Sequence, residues 1–228
     1  MDILKSIRDW SEVWAFLIPL TVILTKRRSL SSDESPIIKY VIIGLLINII
    51  STTMFVYHRS MPTFLKNNNV LYNIHTILRV GLFSWYIINS KILKSNIPAG
   101  IILIIYTLFA ITHFIFFQSP FFLSTPLFIA ETIVLIFLCT SFFYRAIMDD
   151  EKNWLTKPSF LVCSGLFIFE SVNFFIFLFY TPLGKKINSS FGKFTWTIHN
   201  FSLVFFCIVL AVALLKSDRQ KLDSQIAD

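Results

Sequence analysis

Few side chains in this sequence could do chemistry, and the densest set of them lies inside an apolar stretch. In "YNIHTILRVG", residues 72–81, Tyr72, His75, Thr76 and Arg79 follow i, i+3, i+4, i+7 spacing. That spacing aligns them on one face of a helix. Other apolar stretches carry His113, Glu131, Glu170 with Asn173 three residues on, and the adjacent pair His199 and Asn200. Arginine among glutamates forms charge-assisted hydrogen bonds. Histidine can carry a proton near neutral pH or ligate a metal. The chemistry on offer is therefore ion pairing, proton handling, ligand recognition or metal binding. The His/Asp/Ser pattern of seven-helix membrane hydrolases is absent from the sequence.

The elements that must position these groups are membrane-spanning helices. The chain of 228 residues is 55% hydrophobic and only 14% charged, with 26 phenylalanines. A soluble domain is about one quarter charged. The fold class expected is all-α: a polytopic membrane protein with seven transmembrane helices in one bundle, over residues 1–216. A short polar cytoplasmic tail, 217–228, is expected to fray. Hydropathy places the spans near 10–25, 37–57, 70–90, 98–118, 122–145, 157–180 and 194–216. Pro36, Pro98 and Pro158 fall where spans two, four and six begin, a position at which a missing N–H does no harm. Pro19 falls inside span one and should kink it. That span is no signal peptide by this reading: Asp9 and Glu12 interrupt its entry, no small-residue cleavage site follows, and Lys26, Arg27 and Arg28 close it. Cys139, Cys163 and Cys207 lack CxxC spacing and read as small apolar-segment residues, not disulfide partners. No internal repeat and no GxxxG packing motif is present.

Charge sets the direction. One side of the membrane receives Lys5, Arg8, Arg59, Lys66, Lys185, Lys186 and Lys193. The other receives Lys26, Arg27, Arg28, Lys39, Lys91, Lys94, Arg145, Lys152, Lys157, Lys216, Arg219 and Lys221. The positive-inside rule then puts the C-terminus in the cytoplasm and the N-terminus outside, in a bacterial inner membrane. The net charge of +7 belongs to these loops and flanks, so no nucleic-acid partner is expected. His58 beside Arg59, and "MDDEK" at 148–152, read as solvated.

With that orientation, the intramembrane polar groups all fall between the midplane and the outer leaflet. A charge at the centre of a spanning helix costs roughly 2.5–3.5 kcal/mol on insertion scales. Arg79, Glu131 and Glu170 are therefore expected to turn inward and meet, with Arg79 as counter-ion of an internal acidic pair. One arginine against two glutamates leaves surplus negative charge, which a proton on a Glu or a neighbouring His would balance. The bland alternative is that a lone intramembrane His or Asn is interhelical glue, worth about 0.6 kcal/mol on average. His113 and Asn173 are the residues to which it applies best.

Three functions compete. The first is a sensory or receptor-like module whose outer-half pocket binds a small molecule through Tyr72, His75, Arg79, Glu131, Glu170, Asn173, His199 and Asn200 and signals through a membrane partner. The second is an intramembrane metal-dependent enzyme with His75, His113, His199 and Glu131 or Glu170 as ligands, although no HExxH is present. The third is a proton-coupled transporter, disfavoured by the missing repeat. A retinal protein is not expected, because Lys193 and Lys216 lie only at the two ends of span seven.

The stretches "KPSFLVCSGLFIFESVNFFIFLF" and "FTWTIHNFSLVFFCIVLAVALLK" resemble the last two spans of small uncharacterised bacterial seven-helix integral membrane proteins, and "LYNIHTILRVGLF" resembles their third. Proteins of that group are often encoded beside sensor histidine kinases and response regulators. The resemblance implies seven spans and a sensor kinase as a candidate partner. It carries no residue-level chemistry. In the sixth span this sequence has Glu170 where the group carries small or aromatic residues.

Overall fold

A computed structural model describes residues 10–26, 32–57, 68–90, 99–148, 154–184 and 189–227. Seven α-helices run through them: α1 (Ser11–Lys26), α2 (Ser35–Val56), α3 (Asn69–Ile88), α4 (Ala99–Phe116), α5 (Thr125–Met148), α6 (Pro158–Gly184) and α7 (Ser189–Ala227). Four of them contain stretches long and apolar enough to cross a membrane: Ser35–Val56, Thr125–Met148, Pro158–Phe179 and Phe194–Ser217. Gly100–Phe116 is a shorter apolar helix. The molecule is thus a helical membrane protein, and large apolar side chains such as Ile104, Ile105, Phe137, Phe175 and Phe201 point outward. In water such a surface would aggregate; in lipid it is the solvated face.

The helices fall where the hydropathy windows put them, with ends displaced by a few residues. Pro36 and Pro158 occupy helix starts, and α1 continues through Pro19 to Lys26. Pro98, His58 and Arg59 lie outside the described residues, as does most of the 148–152 stretch. The larger difference is at α7. Its helix begins at Ser189 and continues to Ala227, so the tail expected to fray is helical.

The arrangement is a ring with one helix outside it. Helix α1 packs on α2 and α7, α2 on α3, α3 on α5, α5 on α6, and α6 on α7. Helix α4 packs on α3 from the outside, and Tyr106 on it donates to the Leu127 carbonyl at 2.8 Å. Hydrogen bonds give the helix directions. Asn73 Nδ2 donates to the Pro120 and Phe122 carbonyls at 2.9 and 3.0 Å, and its Oδ1 accepts from Ser124 N–H at 3.2 Å. Asn68 Nδ2 reaches the Ser51 carbonyl at 3.2 Å, and Asn200 Nδ2 donates to Ser11 Oγ at 2.8 Å. One end, here the near end, therefore gathers the starts of α1, α3, α5 and α7 and the finishes of α2, α4 and α6. At the far end, Ser217 of α7 bonds Glu34, just ahead of α2.

Two glycines let helices approach where larger side chains would collide. A Cβ on Gly44 of α2 would lie 2.7 Å from the Phe16 ring of α1. One on Gly165 of α6 would lie 2.8 Å from Val209 Cγ1 of α7. Neither belongs to a GxxxG pair, yet each performs the close-packing role of that motif. The far half of the ring interior is filled by Tyr40, Phe83, Phe142, Leu166, Phe206, Leu210 and their neighbours, among which all three cysteines are buried as free thiols.

Candidate functional site

The site begins with the stripe on α3. Its apolar neighbours face lipid, so the same helical phase turns the polar side inward. Arg79 is 4% exposed, and its Nε donates to Glu131 Oε1 of α5. Glu170 Oε1 of α6 lies 3.6 Å from the same nitrogen. Both carboxylates are fully buried. The guanidinium carbon sits 5.2 Å from the Phe169 ring centroid, a cation–π contact that holds it within the bundle. Glu131 Oε2 and both oxygens of Glu170 have no hydrogen-bond partner among the described residues. One cation thus faces two carboxylates, and the acceptors outnumber the donors aimed at them.

A second unit lies across the ring. Asn173 of α6 donates its Nδ2 to the Phe169 carbonyl at 2.8 Å, which fixes the amide orientation. Its Oδ1 then faces His199 Nδ1 of α7 at 2.6 Å. An amide oxygen can only accept, so Nδ1 carries the proton and a neutral ring leaves its lone pair on Nε2. This tautomer is assigned from the hydrogen-bond network. The His199 ring lies 5.1 Å from Trp196, one turn earlier on α7.

The third unit closes the near end. Tyr72 OH donates to Glu12 Oε2 of α1 at 3.0 Å, and the Tyr72 ring meets Trp196 edge-on at 6.1 Å. Below them His75 stacks on Tyr40 at 5.8 Å, with ring planes 11° apart. His75 Nε2 is buried and has no partner among the described residues. Gly44 lies beside it: a Cβ there would stand 3.4 Å from that nitrogen, an ordinary contact distance.

These units enclose a cavity of about 30 Å³. Its polar wall is Glu12, Asn48, Tyr72, His75, Thr76, Arg79 and His199, and its apolar wall is Phe16, Phe128, Phe169, Phe177, Trp196 and Leu203. Such a volume holds one or two waters. Of the residues expected at a site, Tyr72, His75, Arg79 and His199 line this space. Glu131 and Glu170 stand behind Arg79, and Asn173 stands behind His199. Asn200 instead ties α7 to Ser11 of α1.

His113 is elsewhere. It sits on α4, outside the ring, among Phe109, Phe114 and Phe117, with Gln118 Oε1 at 3.4 Å. The described residues contain no group of three His, Cys, Asp or Glu side chains able to hold a metal ion. The ligand set His75, His113, His199 and Glu131 or Glu170 is not assembled among them: His75 and His199 line the cavity, Glu131 and Glu170 face Arg79 behind it, and His113 lies outside the ring. Glu12 and Asn48 belong to the cavity and were not among the residues expected there. Asn48 is a lone polar residue between Ile47 and Ile49, which was a weak signal, whereas Glu12, beside Ser11 at the start of its helix, reads as a flank. No known protein family, curated protein or solved structure matches the chain.

Proposed function

We propose that this protein is a receptor-like or sensory module of the bacterial inner membrane. In this reading all seven helices span the bilayer, the N-terminus is outside and the C-terminus cytoplasmic. The observation that carries it is the cavity, where Arg79, His75, His199 and Glu12 converge inside an apolar ring. A few convergent polar groups on apolar walls are the usual form of a small-molecule site. The asymmetry of basic loop residues favours the near end as the outer one, and Tyr72 and Trp196 then lie toward the aqueous entrance.

The architecture also suggests how occupancy is passed on. The enclosed volume is small, so a ligand larger than a couple of waters displaces the walls. Helix α7 supplies Trp196 and His199 to that wall and runs on unbroken to Ala227. A tilt or shift of α7 at the cavity is thereby carried to its far end, where a partner such as a sensor kinase would read it. Proton-coupled transport is the second reading, favoured by the unpartnered carboxylate oxygens of Glu131 and Glu170. It requires a path through the far end, which a close-packed core fills.

The test is access. In a chain whose three cysteines are changed to alanine, Thr76→Cys places a thiol on the cavity wall. A small membrane-impermeant methanethiosulfonate reagent added to intact cells should label it. Absence of labelling from outside, or labelling only from the cytoplasmic side of inverted vesicles, would overturn the reading.

A further inference from the structure

Resting on that reading of the cavity, we infer that its ligand is a small ammonium-type cation: ammonium itself or the head group of a primary amine. The argument starts from which hydrogens are already used. Tyr72 gives its proton to Glu12 at 3.0 Å, and Thr76 Oγ1 gives its own to the Asn73 carbonyl at 2.9 Å. Asn48 Nδ2 donates to the Gly44 carbonyl at 2.9 Å. His199 Nδ1 is committed to Asn173, and Arg79 Nε to Glu131. Apart from Arg79, which keeps N–H groups, what they leave is lone pairs: those of Asn48 Oδ1, of His199 Nε2 and of the Glu12 carboxylate beyond its bonds to Tyr72 and Trp196. Acceptors left over around an enclosed space call for a ligand rich in donors.

Charge points the same way. Glu12, Glu131 and Glu170 are each at most 6% exposed, and Arg79 is the cation set against them. Arg79 keeps unspent N–H groups, but its charge is already opposed by two carboxylates. Where these carboxyls are ionised, an entering anion would add to the surplus negative charge, and an entering cation would balance it in place of a proton. The aromatic wall adds to this: Trp196, Phe177 and Phe16 line the cavity, and an aromatic ring can attract a desolvated ammonium group over its face. His75 is the independent sign of an absent ligand: it is over nine-tenths buried, it lines the cavity, and its Nε2 has no partner among the described residues. Hard metal cations fit less well, because they take six or more oxygen ligands and this wall is chiefly aromatic and imidazole.

The purified full chain in detergent, melted at constant ionic strength, tests this. Sodium chloride is replaced stepwise by ammonium chloride, methylammonium chloride or potassium chloride. Ammonium and methylammonium should raise Tm along a saturating curve, and potassium should not. Glu12→Gln should weaken the response at least about tenfold, the loss expected for a hydrogen bond to a charged group. Trp196→Leu and Trp196→Phe both remove the indole N–H that reaches Glu12 and only Phe keeps a π face, so the response should be weaker in Leu than in Phe by about threefold or more. Ligand-free melting of each variant separates lost binding from lost folding. A flat response to both amines, an equal response to potassium, or an unchanged response in folded Glu12→Gln would overturn the proposal. If the Thr76→Cys thiol is reached from outside and the amines still have no effect, the pocket stands and the ligand class falls. If the thiol is unreachable, both fall.

Discussion

The two halves of the ring interior solve the same problem in opposite ways. In the far half, Tyr40, Phe83, Phe142, Phe206 and Leu210 fill the space with apolar volume. Phe169 stacks on Phe206 at 5.2 Å with planes 14° apart, and Tyr40 meets Phe83 at 4.7 Å. In the near half the same six helices turn carboxylates, a guanidinium and two imidazoles toward one another and leave a cavity. Helix packing alone does not demand this. Lipid is as apolar as leucine, so a filled interior would hold the near half together as it holds the far one. Charges placed there have a large desolvation cost, and a cavity forfeits dispersion contacts. The difference is that polar groups and a cavity, not apolar volume, occupy the near half, which is what supports the site proposed there.

Arg79→Met sharpens that contrast most. It leaves two buried carboxylates without their cation, and breaking a buried pair this way costs about 3–5 kcal/mol. Thermal unfolding followed by circular dichroism should show it, and adding Glu131→Gln to the variant should recover part of the loss.

The two glutamates should then separate from each other. Glu131 accepts the Arg79 Nε–H, whereas neither oxygen of Glu170 has a hydrogen-bond partner among the described residues. Glu131→Gln should therefore cost about 1.5–3 kcal/mol, the range for a hydrogen bond to a charged group. Glu170→Gln should cost less, because it removes surplus negative charge and no hydrogen bond. Equal effects in the same melting experiment would mean that the arginine is shared evenly, and the asymmetry within the site would be lost.

The smallest effect belongs outside the ring. His113 makes one long contact with Gln118 among phenylalanine rings. His113→Phe should change stability by about 0.6 kcal/mol or less, the average for an intramembrane polar contact. A larger loss would show that the α4 face is a second polar site and not a packing surface.

The positions of the helices were legible in the sequence because lipid imposes a length and a composition that few other constraints mimic. The Arg79, Glu131 and Glu170 cluster was legible for a related reason: the cost of exposing a charge to hydrocarbon leaves inward pairing as the economical solution. Glu12 was not, because an acidic residue near the start of a span is cheap at an interface and reads as a flank. Asn48 and the aromatic wall were not, because a cavity depends on the rotation of each helix about its axis, and hydropathy is blind to rotation. The exclusion of α4, which removes His113 from the site, follows from which neighbours each helix chooses. Gly44 and Gly165 were overlooked for the same reason, since each works against a phenylalanine or valine on another helix and not within a local motif.

The contact between α1 and α7 carries a further consequence for biosynthesis. These are the first and last of the described helices in chain order, so the ring stays open until α7 has been made. Until then Glu12 lacks the wall that Trp196 and His199 supply, and the α6–α1 side of Arg79, Glu131 and Glu170 is uncovered. A nascent chain stalled before α7 would thus leave acidic side chains open to the bilayer, and the cavity wall would be complete only once α7 is in place.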